Sequence, residues 1–235
     1  MFPILFQKGF LTIHTYGFMV ALAVLLACVV SRLRAKAHGF SKTFVDDISF
    51  YALIGGLLGA RLFYVCQDWS YFQKHLVEIF LIHKGGLVFY GGLIGGIISS
   101  TIVVIRKGEN WIKVADFFTP VVPMGHAVGR LGCFLNGCCY GTSNAGEVFP
   151  VQLWESGFNF FLAFILFSLS FLKNISRGML TSLYTFSYGL GRFVLEFYRG
   201  DDVLEFFFLR ISQWFSLALI GCSLLGLVLS YIKRT

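Results

Sequence analysis

Seven stretches of the chain, roughly 13–31, 48–66, 86–105, 114–136, 155–172, 179–198 and 211–232, are apolar on every side of a helical projection. A helix in a soluble bundle carries its apolar residues as one stripe, whereas these segments are greasy all round. About 20 such residues are enough to cross the hydrocarbon of a bilayer. The fourth stretch is the weakest, because Pro120, Pro123 and Gly125 interrupt it. Composition agrees: 57% of the 235 residues are hydrophobic, 13% are charged and the mean hydropathy is +0.76, outside the range of ordinary soluble domains. The expectation is an all-α integral membrane protein with seven transmembrane helices.

Lys and Arg then set the orientation, since short cytoplasmic loops are enriched in them. With the N-terminus outside, the inner loops hold Arg32, Arg34, Lys36, Lys42, Arg106, Lys107, Lys113, Lys173, Arg177, Lys233 and Arg234. The outer side holds only Lys8, Lys74, Lys84, Arg199 and Arg210. The C-terminus is therefore expected in the cytoplasm. The net charge of +7 is this bias meeting anionic headgroups, and nucleic acid is set aside as a partner. The first apolar run reaches spanning length without a small-residue cleavage site, so it reads as a span and not as a cleaved signal. With no fixed-period repeat and no long linker, residues 1–235 are expected to form a single domain.

Inside this apolar frame lie a few charges that cost roughly 2.5–3.5 kcal/mol each on insertion scales, which makes them functional candidates. Arg130 stands in GHAVGRLGCFLNGCCYG (125–141) with Asn136 and three cysteines. Arg61 stands in GLLGARLFYV (56–65), and Arg192 in YGLGRFVLEF (188–197), followed by Glu196, Arg199, Asp201 and Asp202. Spans four and six thus carry cations to a shared outer depth, and a guanidinium fork suits a phosphodiester. A phospholipid headgroup is the expected ligand. The plainer alternatives are that Arg192 pairs with Glu196 one turn away, that Arg130 bonds carbonyls near the glycine-rich breaks, and that Arg61 snorkels from the outer end of its span.

The glycines of 54–60 and of GGLVFYGGLIGG (85–96) favour close helix packing, with backbone access for a headgroup as the alternative. Tyr90 is the polar exception there, an interface tyrosine or a hydroxyl offered to substrate. Cys28, Cys66 and Cys222 lie within spans and read as small hydrophobes. For Cys133, Cys138 and Cys139 three readings stay open, in this order: structural pairing or packing, a nucleophilic thiolate beside arginine, or a soft-metal site.

These blocks together resemble the prolipoprotein diacylglyceryl transferase family. GRLGCFLNGCCYG (129–141) is similar to its signature GRxGNFxNGExxG, and LGARLFYV (58–65), GGLVFYGGLIGG, FPVQLWE (149–155) and YGLGRFVLEFYRGDD (188–202) are similar to other family blocks in the same order. His14, Thr15, Tyr16 and Gly17 resemble its opening HWYG. The resemblance implies transfer of a diacylglyceryl group from phosphatidylglycerol to the thiol of a lipobox cysteine in a prolipoprotein, releasing glycerol 1-phosphate, with no metal or organic cofactor. It implies Arg130 and Arg192 as catalytic groups at the phosphate. Tyr16, Arg61, Asn136, Gly137, Gln152, Glu155, Glu196 and Arg199 become substrate-binding positions. Departures accompany the matches: Tyr90 replaces the family's histidine and is taken as the catalytic hydroxyl, Cys133 and Cys138 replace asparagine and glutamate, Phe149 replaces another histidine, and the periplasmic head shrinks to 142–148. The alternatives are a diverged transferase with another acceptor or a covalent cysteine, and a non-enzymatic lipid-binding or redox membrane protein.

Overall fold

The computed structural model describes residues 2–8, 11–82, 85–144, 147–172, 175–200 and 205–232. Asp201 and Asp202, and the topology-setting Lys84, Lys173, Lys233 and Arg234, lie outside the described residues. The protein is mostly helical. Strands β1 (Ile4–Lys8) and β2 (Leu11–His14) form an antiparallel hairpin, and the helices are α1 (Thr15–Arg34), α2 (Lys42–Gln67), α3 (Trp69–Phe72), α4 (Phe89–Arg106), α5 (Trp111–Phe118), α6 (Val121–Asn136), α7 (Val151–Ser170), α8 (Met179–Glu196) and α9 (Ile211–Ile232). Two short hairpins complete the order: β3 (Ser143–Asn144) with β4 (Glu147–Val148), and β5 (Glu205–Phe206) with β6 (Leu209–Arg210).

Five helices, α1, α2, α4, α7 and α9, are long and apolar enough to cross a membrane. The burial pattern agrees with lipid as the solvent. Phe164 of α7 is 71% exposed and Ile105 of α4 is 70% exposed, while Glu155, Asn159 and Glu196 are buried. The expected fourth span is two helices, α5 and α6, parted at Thr119 and Pro120. Proline disfavours helical geometry in the residue before it and cannot donate to the preceding turn. Pro123 is tolerated because it falls in the first turn of α6, where the N–H would have no intrahelical partner. The expected sixth span is α8, which carries Arg192, Glu196 and the tyrosines 184 and 188, and is less apolar than the five. The fifth begins at Val151, four residues before its expected start.

The chain divides into two compact units, residues 32–114 and residues 1–31 with 115–235. In the first, α2 and α4 run antiparallel with glycine on glycine. A Cβ on Gly59 would collide with the Gly91 carbonyl oxygen, and one on Gly95 with that of Gly55. The glycines of both helices therefore serve close packing, the first of the two readings above. Arg61 does not snorkel. It is 7% exposed, and its guanidinium donates to the carbonyls of Ile79 (2.9 Å), Gly85 (2.8 Å), Gly86 (3.1 Å) and Glu78 (2.5 Å), tying the segment between α3 and α4 to α2.

In the second unit α6 packs on α7, α7 on α8 and α8 on α9. Ser156 Oγ donates to the Ala127 carbonyl at 2.9 Å, linking α7 to α6. Asp116 of α5 accepts from Gly178 N (2.5 Å), Thr181 N (2.9 Å) and Thr181 Oγ1 (2.7 Å), capping the start of α8 from another helix. Gly132 lets α1 approach α6, since a Cβ there would sit 2.8 Å from Met19 Cβ and 3.6 Å from Tyr16 Cδ2.

Candidate active site

One carboxylate organises the site. Glu155, buried near the start of α7, meets Arg130 Nη2 at 3.0 Å and His126 Nε2 at 3.5 Å through Oε1, and Arg192 Nη1 at 3.8 Å through Oε2. His126 and Arg130 are four residues apart on α6 and so share a face, as do Arg192 and Glu196 on α8. Arg192 Nη2 pairs with Glu196 Oε2 at 2.7 Å, and Arg210 Nη1 reaches Glu196 Oε1 at 3.9 Å. The i,i+4 pairing of Arg192 is thus present, but it accounts for only one side of that guanidinium. Arg130 pairs with Glu155 and not with carbonyls at the glycine-rich breaks.

Three guanidiniums therefore share two carboxylates, leaving one positive charge in excess. Arg130 and Arg192 side chains are only 16% and 14% exposed, yet among the described residues Arg130 Nε and Arg192 Nη1 are buried without a hydrogen bond, Arg192 Nη1 facing Glu155 Oε2 at 3.8 Å. Each guanidinium keeps a carboxylate beside it, but a buried N–H that makes no hydrogen bond is still costly in a low-dielectric interior. The two N–H groups can donate to an anion's oxygens, which is the chemistry a guanidinium offers an oxyanion.

Next to this cluster α6 ends. Gly137 closes the helix with φ 76°, the left-handed cap that glycine takes without strain. Beyond it Cys139 adopts φ 59°, which costs a residue with a Cβ about 1–2 kcal/mol. Strain of this kind persists where surrounding contacts over-determine the backbone. Here the contacts are Gln152 Nε2, which donates to the Cys138 carbonyl at 2.8 Å, and Cys138 N, which donates to the Cys133 carbonyl at 3.1 Å. The turn is then pinned to the segment leaving α8: Gly141 bridges Arg199, Thr142 N donates to the Tyr198 carbonyl at 2.8 Å, and Gly200 N donates to the Tyr140 carbonyl at 3.3 Å. A Cβ on Gly200 would lie 2.6 Å from the Gly141 carbonyl oxygen, so the two strands meet backbone to backbone.

The result gathers the Sγ atoms of Cys133, Cys138 and Cys139 within 4.8 Å of one another, all three as free thiols. Arg130 Nη1 lies 4.0 Å from Cys133 Sγ. A hydrogen bond from the Cys133 thiol, helped by the guanidiniums of Arg130 and Arg199, holds Cys139 below the usual thiol range.

The expected site residues thus fall into groups. Arg130, Arg192, Glu155 and Glu196 form one ionic cluster, and Arg199 joins it through the carbonyl that Arg210 Nη1 also contacts at 3.1 Å. Tyr16, Asn136, Gly137, Gln152 and the three cysteines surround the last turn of α6, Tyr16 reaching it at Gly132. Arg61 and Tyr90 belong to the 32–114 unit, where Arg61 serves backbone carbonyls and Tyr90 is exposed beside Phe89. Two members went unread as site residues: His126, whose signal is its four-residue spacing from Arg130, and Arg210, counted only as a loop charge.

The model of the family described as prolipoprotein diacylglyceryl transferase matches residues 3–229. The chain belongs to that family. A phosphatidylglycerol–prolipoprotein diacylglyceryl transferase of Clostridium tetani is 34% identical, covering 100% of this chain and 98% of its own length. One of Finegoldia magna is 37% identical over 87% of this chain and 86% of its own. One of Burkholderia mallei is 32% identical over 97% and 94%. The resemblance read from the blocks holds along nearly the whole chain, and with it the membership of a transferase family of lipoprotein biosynthesis.

Proposed function

We propose that this protein is a phosphatidylglycerol-dependent transferase that moves a diacylglyceryl group to the thiol of a prolipoprotein lipobox cysteine and releases glycerol 1-phosphate. The observation that carries the mechanism is the pair of guanidiniums, Arg130 and Arg192, gathered by Glu155, with Arg130 Nε and Arg192 Nη1 buried and making no hydrogen bond among the described residues. The phosphodiester accepts from Arg130 Nε and Arg192 Nη1. As the acceptor sulfur attacks the glyceryl carbon and the C–O bond to phosphate breaks, negative charge grows on the departing phosphoglycerol. Donors fixed in advance at that position stabilise it, which is where electrostatic catalysis is strongest. Glu155 and Glu196 hold the guanidiniums in place and keep them from repelling each other, while His126 braces Glu155 from the other side.

Around this centre, Asn136, Gly137, Gln152 and Tyr16 shape the approach of the acceptor and Arg199 offers a further cation to the headgroup; within the 32–114 unit, Arg61 holds its loop in the form that receives substrate. Tyr90 is proposed as a hydrogen-bonding contact to substrate through its phenol hydroxyl, which can both donate and accept. The protein is placed in the plasma membrane with seven membrane segments, α5 and α6 together forming the fourth, N-terminus outside and C-terminus in the cytoplasm.

Complementation tests the reading. A bacterium depleted of its own diacylglyceryl transferase is given the wild-type protein or Arg130→Ala, and lipoprotein processing is followed by gel shift. Rescue by wild type and its loss in the variant are expected; wild-type protein present in the membrane without rescue overturns the proposal.

A further inference from the structure

We infer that Cys139, with Cys133 as its resolving partner, is a thiol–disulfide exchange site that frees an oxidised lipobox cysteine for transfer. The substrate class is a disulfide on the acceptor sulfur, and the inference rests on the transferase reading above.

Geometry selects the pair. The Sγ atoms of Cys133, Cys138 and Cys139 lie within 4.8 Å of one another. Cys133 is buried in the last turn of α6, whereas Cys138 and Cys139 are half-buried in the turn beyond it. A disulfide holds its two Cα atoms about 4.4–6.8 Å apart. Neighbours in sequence are only about 3.8 Å apart across a trans peptide, so Cys138 and Cys139 do not suit each other as a pair. Cys133 is the partner for Cys139, because its thiol donates a hydrogen bond to the Cys139 sulfur.

The surroundings of Cys139 make it the attacking sulfur. Hydrogen bonds reach it from Cys133 and Cys138, and the guanidiniums of Arg130 on α6 and Arg199 beyond α8 favour its charged form, which together lower its pKa to about 5. Cys139 is thus a thiolate at neutral pH, and the thiolate is the form that attacks. A half-buried thiolate beside a sheltered second thiol is the arrangement of a cysteine that reacts and a cysteine that resolves. The φ of 59° at Cys139 is backbone strain of the kind kept where function needs a side chain held in one place.

Location supplies the substrate. Gln152, which holds the Cys138 carbonyl, is one of the residues past which the acceptor approaches in the proposed function. The proposed orientation puts this turn at the outer face, where disulfides form and persist. A lipobox sulfur already bonded to another sulfur has no thiol with which to attack the glyceryl carbon. Exchange restores it in two steps. The Cys139 thiolate attacks the substrate disulfide, forming a mixed disulfide and expelling one of its sulfurs as a thiolate. The Cys133 sulfur then attacks that of Cys139, which closes a Cys133–Cys139 disulfide and releases the other substrate sulfur with the proton that Cys133 gives up. The substrate disulfide gains two electrons and the thiol pair loses two. An external dithiol, itself oxidised to a disulfide, reduces the pair for the next round.

The test uses reduced, detergent-solubilised protein carrying Cys28→Ser, Cys66→Ser and Cys222→Ser. It is mixed, with no other thiol present, with a lipobox peptide whose cysteine is capped by a disulfide to glutathione, and the products are followed by mass spectrometry. One equivalent of free-thiol peptide and a protein lighter by two hydrogens are expected. Adding Cys139→Ser is expected to abolish release, with folding checked by thermal unfolding in detergent, and adding Cys138→Ser to retain it. Adding Cys133→Ser is expected to stop the reaction at a mixed disulfide on Cys139. Between pH 7 and pH 6 the consumption of capped peptide is expected to change less than about twofold, whereas free cysteine, with a pKa near 8.5, slows about tenfold. Release that survives Cys139→Ser, no trapped adduct in Cys133→Ser, or a tenfold fall by pH 6 overturns the inference. Protein that transfers a diacylglyceryl group from phosphatidylglycerol to the free-thiol peptide but leaves the capped peptide untouched also overturns it, with the transferase reading intact. Protein that uncaps the peptide but lipidates neither form leaves the exchange site standing and sinks the transferase reading instead.

Discussion

Arg61 and Arg130 meet the same cost, a guanidinium taken out of water, in opposite ways. Arg61 donates to four backbone carbonyls, those of Glu78, Ile79, Gly85 and Gly86, and so ends as a structural clamp. Arg130 has one carboxylate, shared with Arg192 and His126, and its Nε has no acceptor among the described residues. An apolar setting alone does not separate a functional arginine from a scaffolding one. What separates them is whether the protein already satisfies the fork.

The largest test of that contrast is activity. Arg130→Ala and Arg192→Ala are each expected to lower diacylglyceryl transfer to a lipobox peptide by about 100- to 1,000-fold, the loss typical of removing a donor aimed at developing charge. Arg130→Lys is expected to recover little of it, because an ammonium lacks the planar fork. Glu155→Ala comes next: removing the shared carboxylate is expected to destabilise the protein by about 3–5 kcal/mol, read as thermal unfolding in detergent. Combined with Arg130→Ala the loss of stability should be less than the sum, since the two residues are in contact.

Arg61→Ala is expected to cost about 3 kcal/mol of stability through stranded carbonyls, with the KM for phosphatidylglycerol unchanged in the folded fraction. A folded Arg61 variant with a tenfold higher KM would erase the distinction between the two arginines. Smallest are the glycines of the same unit. Gly59→Ala, whose Cβ would strike the Gly91 carbonyl, is expected to cost about 1–3 kcal/mol. Gly56→Ala, with 3.4 Å to the Gly92 carbonyl, is expected within about 0.5 kcal/mol of wild type.

Much of this was legible beforehand, and the rest has physical reasons. Arg130, Arg192 and Glu196 stand out because charge in an apolar segment is improbable without a use, and the break at Pro120 follows from the missing proline N–H. The role of Glu155 was hidden: its partners lie on two other helices, 25 and 37 positions away, and no local spacing records such a meeting. His126 was visible only as a neighbour in α6 until Glu155 turned its four-residue offset from Arg130 into a shared partner. Arg61 misled as a snorkelling residue because the carbonyls that satisfy it come from a segment between helices, where apolar periodicity is silent. The helix start at Val151 was missed because Pro150 marks a boundary that the apolar count alone places later.

The backbone crossing at Gly141 and Gly200 has a consequence for how this family can vary. Phe149 N returns to the Thr142 carbonyl at 3.1 Å, and Gly141 N to the Phe149 carbonyl at 3.1 Å, so the short hairpin 142–149 leaves and re-enters the protein through a single closed neck. Whatever lies beyond that neck can lengthen, shorten or change its surface without moving the residues on the near side. That hairpin is free to be rebuilt while the ionic cluster of Arg130, Glu155, Arg192 and Glu196 keeps its geometry.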